Sequence, residues 1–312
     1  MAAIDRRAAG APDLGVTTKV LDVWAQWLLH RRHGGDAELL RRQLEYLGPV
    51  RDRVLDNAEV TAGDVVLDVG AGDGLIAFGA LERVGPSGHV IFSDVSQDLL
   101  DHARSLAESA GVLERCDFLR ASAEDLSLVG NGQVNVLTTR SVLIYVPQKG
   151  PAIREFHRVL KPHGRLSIFE PINRFGHARS FGAAFFGMEV TPVADIWRKL
   201  RALYDRLQPA SDPMLNFDER DLFSYVEDAG FREVRMEYNA EVASPREELV
   251  WEKLIRGAGN PKIPSLEQAM AEVLTADERE RLVGYLRPLL ESGAATTRTA
   301  TAYLWARKTG VR

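Results

Sequence analysis

Residues 65–74 read Val-Val-Leu-Asp-Val-Gly-Ala-Gly-Asp-Gly, and this stretch decides the fold. Five residues that suit a buried parallel strand lead directly into a turn that contains Gly70, Gly72 and Gly74, and an apolar helical pattern follows. Glycine tolerates positive φ and has no Cβ, so a ligand can pack against the main chain of such a loop. In an open α/β sheet, ligands bind at the carboxyl ends of the strands, where this loop lies.

Two well-known glycine-rich loops do not fit the spacing of residues 70–74. A P-loop ends in Gly-Lys-Ser or Gly-Lys-Thr, and this loop does not. A dinucleotide-binding loop spaces its glycines G-x-G-x-x-G, whereas the third glycine here arrives one residue early. A purely structural turn is the alternative if no other part of the chain indicates a ligand.

Length and composition limit the classes of protein that this chain can form. With 312 residues and 45% hydrophobic content, it can build one elaborated domain or one domain plus a cap. Its net charge of −5 lacks the basic bias of a typical nucleic-acid binder, and its single cysteine, Cys116, excludes intrachain disulfides and thiol-metal clusters. No apolar run suits a signal peptide or a membrane span, so we expect a cytoplasmic protein without nucleic-acid or membrane partners.

The first sixty residues predict a helical segment that precedes the glycine loop. One helix is predicted over residues 17–31, a second over apolar positions between 39 and 47, and a third beginning at Pro49, which suits a first helical turn. We expect residues 1–60 to cover the ligand site and residues 61–312 to form the main domain. His33 is interpreted either as part of a ligand-covering loop or as part of a plain helix cap.

After the glycine loop, strands and helices alternate regularly along the chain. Parallel strands joined by helices form a doubly wound sheet with right-handed crossovers. The predicted strands after the first are residues 90–94, 117–120, 133–138, 165–170, 231–241 and 299–308. The pattern therefore predicts an α/β fold around a doubly wound, seven-stranded and mostly parallel sheet.

Asp94 ends the second predicted strand, at the sheet edge that carries the glycine loop. A carboxylate there offers two acceptor oxygens, which suits the two hydroxyls of a ribose. The alternative is an acid in a solvated turn beside a helix. The preceding glycine loop favours the ribose-binding interpretation.

Four features, taken in order, resemble the class I S-adenosylmethionine (SAM) methyltransferases. They are Leu-Asp-Val-Gly-Ala-Gly-Asp-Gly at 67–74, the acid Asp94, Ala-Ser-Ala-Glu-Asp-Leu at 121–126, and Leu-Lys-Pro-His-Gly-Arg-Leu at 160–166. The resemblance covers about residues 60–240. It implies a Rossmann-like methyltransferase fold whose last strand inserts antiparallel beside the sixth. It also implies SAM as the cofactor and S-adenosylhomocysteine as its product.

The same resemblance assigns roles to individual residues. The glycines let the backbone approach the methionine half of SAM, Asp68 braces the loop, and Asp94 binds the ribose hydroxyls. Ser122 stands where family members often use Asp to hold adenine, which weakens the expected side-chain bond to the adenine amino group. The residues expected to hold SAM are Asp68, Gly70, Ala71, Gly72, Asp73, Gly74, Asp94, Val95, Ser122, Ala123 and Arg140.

Two insertions, at about residues 174–216 and 244–293, interrupt the sheet pattern. Capping boxes at Ser244…Glu247 and Thr275…Glu278 predict ordered helices in the second insertion. The first is rich in phenylalanine and follows the fifth strand, so we expect it to roof a pocket for an apolar or aromatic acceptor. The alternative is that these aromatic residues form only the core of the cap.

His177 and Glu170 are the leading candidates for a general base, ahead of His33 and Tyr145. Methyl transfer is an in-line displacement that sometimes requires removal of a proton from the acceptor. Non-catalytic alternatives are a surface histidine at 177 and a turn-capping carboxylate at 170.

Charged groups near the fifth strand also bear on the substrate. If Arg174, His177 and Arg179 face the pocket together, they favour an anionic acceptor such as a carboxylate. The chain shows no convincing cluster of acids for a metal, so no metal is predicted.

The sequence thus predicts a SAM-dependent methyltransferase acting on oxygen or nitrogen of a small molecule, interpreted as a specialised metabolite. A peptide carboxylate is a second candidate acceptor. The same residues would also suit a SAM-binding scaffold or regulatory protein that transfers no methyl group, or an enzyme that uses bound SAM for cyclisation or decarboxylation. Both a monomer and a homodimer remain open.

Overall fold

The structure of the protein is a computed structural model that describes residues 20–32, 37–180, 184–244 and 250–310. His33 lies outside the described residues, and so does Glu247, which is one half of a predicted capping box. The side chain of Arg179 lies outside them as well.

A seven-stranded sheet forms the centre of the molecule. Its strands are β1 (Val65–Val69), β2 (His89–Asp94), β3 (Cys116–Arg120), β4 (Val134–Arg140), β5 (Leu160–Pro171), β6 (Phe231–Ala243) and β7 (Thr297–Lys308). The spatial order is β3-β2-β1-β4-β5-β7-β6, with β1 to β5 parallel and β7 antiparallel to both neighbours. The predicted doubly wound, mostly parallel sheet is confirmed, including the antiparallel insertion of the last strand beside the sixth.

Both faces of the sheet are covered because its central strands are apolar on both sides. Successive side chains of a strand point to opposite faces, and Val66 and Leu67 of β1 accordingly belong to two different hydrophobic clusters. Both side chains are completely buried. The end of β1 is therefore held rigidly between two packed layers, which fixes the position of the glycine loop.

Helices connect the strands and extend the fold at both ends. The first, α1, consists of an α-helical turn, Val23–Gln26, and a π-helical turn, Trp27–Arg31. The others are α2 (Ala37–Asn57), α3 (Leu75–Val84), α4 (Gln97–Ser109), α5 (Lys149–Val159), α6 (Arg174–Ser180), α7 (Ala194–Leu207), α8 (Glu219–Asp228), α9 (Trp251–Arg256), α10 (Leu266–Val273) and α11 (Ala276–Glu291). The predicted Thr275…Glu278 capping box is present at the start of α11.

The prediction of two separate helices between residues 39 and 60 is wrong, because α2 runs without interruption through Pro49. A proline inside a helix removes one backbone hydrogen bond and crowds the preceding turn. Here the proline is exposed, while Leu47 and Val50 on either side of it are buried. Apolar contacts thus continue across the proline and hold the helix together.

The two insertions fold together into one helical cap, which comprises residues 184–207 and 250–295. Phe185 of the first insertion contacts Trp197 in α7 and Trp251 in α9, with ring centroids 5.4 and 6.4 Å apart. A third hydrophobic cluster contains buried residues of both insertions. Phe185 is completely buried there, so this aromatic residue serves the core of the cap.

Candidate active site

The glycine loop after β1 requires glycine for steric reasons. Gly70 and Gly74 have positive φ values of 70° and 86°. A Cβ on Gly70 would lie 2.2 Å from Cγ2 of Val142, and a Cβ on Gly74 would lie 2.5 Å from Cε2 of Phe78. Because side chains cannot occupy these positions, the main chain of the loop stays open to a ligand.

Asp68 lies beneath the loop and away from its ligand side. Its buried carboxylate accepts a hydrogen bond of 2.9 Å from Oγ1 of Thr138 in β4. Burial raises the pKa of Asp68 to about 7. The side chain ties β1 to β4, a contact that suits a bracing role.

Asp94 lies at the carboxyl end of β2 and organises the ligand side of the loop. Its Oδ2 accepts a hydrogen bond from the N–H of Gly72, and its Oδ1 accepts one from the N–H of Ser96, each at 2.9 Å. Burial raises the pKa of Asp94. Each carboxylate oxygen keeps a further lone pair, so the side chain can also accept hydrogen bonds from two ligand hydroxyls.

A cavity of about 320 Å³ adjoins the glycine loop, and its size is typical of a small-molecule site. Seven of the eleven residues predicted to bind a cofactor line it: Gly70, Gly72, Asp94, Val95, Ser122, Ala123 and Arg140. The other four, Asp68, Ala71, Asp73 and Gly74, do not line it. They belong to the strand and loop that shape this wall of the cavity.

Helix α1 closes the cavity and is fastened to the start of α4. Oδ1 of Asp22 accepts hydrogen bonds of 3.0 Å from the N–H groups of Trp24 and Ala25, which caps the helix. Oδ2 of Asp22 accepts a hydrogen bond of 2.7 Å from Oγ of Ser96. Four residues of this segment therefore line the cavity: Trp24, Trp27, Leu28 and Arg32.

Aromatic contacts fix α1 over the cavity. The rings of Trp24 and Tyr145 meet edge to face with centroids 4.9 Å apart. Nε1 of Trp27 donates a buried hydrogen bond of 2.6 Å to the carbonyl oxygen of Ala258 in the cap. The sequence predicts both tryptophans only as part of a buried helix face. Two tryptophans three positions apart, on a helix that precedes a binding loop, are the signal that could have indicated a ligand contact.

Two arginines bring positive charge to the lining of the cavity. Burial lowers the pKa of Arg32, and the charge of Arg140 lowers it further. Among the described residues, neither guanidinium has a carboxylate within 4.0 Å. The pair therefore suits an anionic group of a ligand.

Comparison with known proteins identifies the family. A family model described as a methyltransferase domain matches residues 66–164. The ubiquinone/menaquinone biosynthesis C-methyltransferases UbiE of Escherichia fergusonii and Escherichia coli are each 31% identical to this chain over 188 residues, which cover 58% of this chain and 71% of the relative. The chain belongs to the SAM-dependent methyltransferases.

Two solved structures share the fold of this methyltransferase. The protein BH2331 of Bacillus halodurans, with a TM-score of 0.50 and 16% identity, covers 83% of this chain and 99% of its own. The protein YcgJ of Bacillus subtilis, with a TM-score of 0.51 and 17% identity, covers 84% of this chain and 98% of its own. At these identities, the two comparisons bear on the fold alone.

Glu170 of the methyltransferase lies at the end of β5 and is completely buried. Its carboxylate accepts hydrogen bonds of 2.9 Å from the N–H groups of Val142 and Leu143 and one of 3.3 Å from that of Ile144. Burial raises its pKa to about 7. Glu170 does not line the cavity, so its contacts favour the turn-capping alternative over the predicted role as a base.

A second space of about 1260 Å³, termed the side groove, adjoins the cavity beside the glycine loop, which is the candidate cofactor cavity. Its main lining segments are residues 171–177, 208–215, 238–244, 259–263 and 297–301. Four residues line both spaces: Pro171, Asn173, Met214 and Gly259. The two spaces therefore meet where β5 ends.

His177 in α6 lines the side groove and is separate from the cofactor cavity. Burial lowers its pKa; Arg201 lowers it further, whereas Asp205 and Asp212 oppose the shift. The imidazole is therefore neutral at pH 7 and able to accept a proton.

Arg174, which the sequence grouped with His177 and Arg179, does not face either space. Arg174 is exposed and lies 3.6 Å from the carboxylate of Asp218, and it lines neither the cavity nor the groove. Its guanidinium is therefore directed to α8 and away from a bound acceptor.

Two further kinds of site are absent from the part of the chain that the structure describes. No group of three or more His, Cys, Asp or Glu side chains there could hold a metal ion. Among the same residues, no helix combines the length and apolar character needed to cross a membrane.

Proposed function

We propose that this methyltransferase methylates a small molecule held in the side groove, at a carbon atom next to an ionised hydroxyl. The UbiE relatives are named as C-methyltransferases, which supports carbon over the oxygen or nitrogen expected from the sequence. An ionised phenol or enol is nucleophilic both at oxygen and at the adjacent carbon, so orientation in the groove decides which atom reacts. Methylation at oxygen of the same kind of acceptor is the alternative.

The shared wall between the two spaces carries this proposal. Pro171, Asn173, Met214 and Gly259 line both the cofactor cavity and the side groove. Methyl transfer requires reacting atoms to approach within about 3–3.5 Å in line. An acceptor in the groove can approach the cofactor at the place where the two spaces meet, beside these four residues.

The cavity fits SAM, which supplies an electrophilic methyl group on a sulfonium ion. The main chain of the glycine loop has the open surface needed beside the methionine half, and Asp94 has free lone pairs for the ribose hydroxyls. Arg32 and Arg140 line the cavity and would bind the amino-acid carboxylate. Ser122 and Ala123 also line it and would hold the adenine.

The proposal assigns water exclusion to α1 and proton removal to α6. Trp24, Trp27 and Tyr145 cover the cavity, so the described residues 20–32 act as a cover for the main domain at 61–312. Burial raises the pKa of Tyr145 to about 12, so its hydroxyl stays protonated at neutral pH. His177 is neutral in the side groove, and it accepts the proton of the acceptor hydroxyl.

The test is turnover with deuteromethyl-labelled SAM and a panel of phenolic and enolic acceptors. Formation of S-adenosylhomocysteine together with a carbon-bound CD₃ group in the product, located by NMR, is the expected result. A CD₃ group on oxygen would shift the assignment to the alternative. Tight binding of S-adenosylhomocysteine with no product from any acceptor would favour the scaffold interpretation instead. Product of unchanged mass would indicate cyclisation, and a methylated peptide would indicate carboxylate methylation.

A further inference from the structure

We propose that Arg298 and Asn173 form an oxyanion-binding site in the side groove, and that the acceptor therefore carries a carboxylate. The inference deepens the proposed function and rests on the assignment of the side groove to the acceptor. Both residues line the groove, and Asn173 also lines the cofactor cavity. An anionic group held here would lie beside the point where the two spaces meet.

The backbone brings these two residues together. The N–H of Ile172 donates a hydrogen bond of 2.8 Å to the carbonyl oxygen of Ala300, which extends the pairing of β5 with β7. Asn173 follows directly, and Arg298 lies two residues before Ala300 on the antiparallel partner. Gly176 allows the close approach of α6, because a Cβ there would lie 2.3 Å from the carbonyl oxygen of Arg298.

Both side chains have buried nitrogen atoms without a partner. Nε of Arg298 and Nδ2 of Asn173 make no hydrogen bond within the described ranges. An unpaired buried donor is costly, and each such group in a folded protein needs an explanation. Two unpaired donors on neighbouring elements that line one groove are explained together by a ligand oxygen.

The charge of Arg298 is held in place and is not neutralised by another described residue. Its guanidinium lies 4.6 Å from the ring centroid of Phe175, a cation–π contact that orients the group and consumes no N–H donor. Among the residues that the structure describes, Arg298 forms no ion pair. Glu241, the acid that lines the same groove, has a contact of its own.

The chemistry of these donors selects a planar oxyanion. Arginine presents N–H groups in a fixed fork that matches the two oxygens of a carboxylate, and Asn Nδ2 adds a neutral donor. Arg174 and Arg179 were the arginines that the sequence suggested for this purpose. The arrangement instead uses an arginine on β7, more than one hundred residues along the chain from α6.

The test uses matched pairs of aromatic and enolic carboxylic acids and their methyl esters. Binding to protein saturated with S-adenosylhomocysteine is measured by ligand-observed NMR. Wild type should prefer the acids by about tenfold or more, and Arg298→Gln should reduce this preference to about twofold. Arg298→Lys should give an intermediate preference because it keeps the charge and loses the fork. Arg235→Gln, which removes an exposed arginine of the neighbouring strand, should keep the wild-type preference.

Titration of each variant with S-adenosylhomocysteine shows whether the cofactor site is intact. No preference for acids in wild type, or a full preference in Arg298→Gln with the cofactor site intact, would overturn the inference. Turnover of carboxylate-bearing acceptors that is unchanged in Arg298→Gln would leave the proposed function standing and remove the oxyanion site. Acid binding that depends on Arg298, without turnover of any acceptor, would support the oxyanion site and contradict the proposed function.

Discussion

The cofactor cavity and the side groove meet at Asn173, yet they are built in different ways. Much of the cavity is formed by residues at the carboxyl ends of the strands and in the loops that follow them, such as Gly70, Asp94 and Arg140. The groove is formed mainly by residues from five separated segments, together with Tyr46. A binding site of the first kind suits one invariant ligand, whereas one of the second kind can change its specificity with few substitutions.

The largest effect should come from the groove and should leave the cavity untouched. Changing His177→Asn is expected to lower kcat by about 100-fold or more, because it removes the proposed base. Affinity for S-adenosylhomocysteine should stay within about twofold, since His177 does not line the cavity. Single-turnover kinetics and calorimetric titration provide the two measurements.

The pH profile sharpens this prediction. Burial lowers the pKa of His177, so the single-turnover rate of wild type should rise with pH and level off at a lower pH than it would with an ordinary histidine as the base. Arg201, Asp205 and Asp212 are the charged groups that influence it. A rate that is the same in wild type and His177→Asn would remove this residue from the mechanism.

The converse experiment tests the cavity by replacing, one at a time, two acids that lie in or near the glycine loop. Asp94→Ala is expected to weaken S-adenosylhomocysteine binding by about 100-fold, because the ribose loses its acceptor and the N–H groups of Gly72 and Ser96 lose theirs. Asp73→Ala should weaken it by only about twofold, since Asp73 does not line the cavity. Calorimetry on both variants measures the two losses of affinity. Equal losses would mean that Asp94 is not the residue that binds the ribose.

The contrast also explains which features were predictable from sequence. β1, the glycine loop and Asp94 lie within thirty residues, and their apolar runs, glycines and terminal acid are local signals. The seven-strand sheet followed from the same kind of signal. Local signals failed at Pro49, where burial of Leu47 and Val50 outweighs the tendency of proline to end a helix.

Side-chain roles that depend on distant partners were not predictable. The sequence allowed Glu170 to be either a base or a cap, and only the position of residues 142–144 relative to β5 favours the cap. Arg32 and Arg298 carried no motif at all. The place of Arg32 depends on how α1 packs against α4 and Tyr145, and that of Arg298 on how β7 pairs with β5.

Glu170 is buried and lines neither the cavity nor the groove, so its replacement should affect stability more than chemistry. Glu170→Gln is expected to lower the free energy of unfolding by about 1–3 kcal/mol, because an amide nitrogen replaces Oε2 and turns N–H donors towards the N–H group of Ile144. Urea denaturation gives the stability, and single-turnover kinetics give the chemistry. A hundredfold loss of rate with unchanged stability would restore the predicted role as a base.

The stability of this region should also depend on pH. Burial raises the folded-state pKa of Glu170 from 4.5 to about 7, so its contribution to stability is complete below about pH 4.5 and is lost as the pH rises through about 7. Glutamine does not titrate. The difference in unfolding free energy between wild type and Glu170→Gln should therefore narrow from pH 5 to pH 8, while Asp68, with a pKa also near 7, acts in the same direction in both proteins.

The smallest effect concerns the link between α1, which covers the cofactor cavity, and the helical cap. Trp27→Phe keeps an aromatic ring but removes the 2.6 Å hydrogen bond to the carbonyl oxygen of Ala258, and it should weaken S-adenosylhomocysteine binding by about three- to tenfold. Trp24→Phe should change it by less than about twofold, because its edge-to-face contact with Tyr145 can be kept and its indole donates no hydrogen bond to another described residue. Stopped-flow release of S-adenosylhomocysteine should show the loss as a faster dissociation rate. Equal losses in the two variants would mean that the cover depends on aromatic bulk, and that the cap does not hold α1 in place through Ala258.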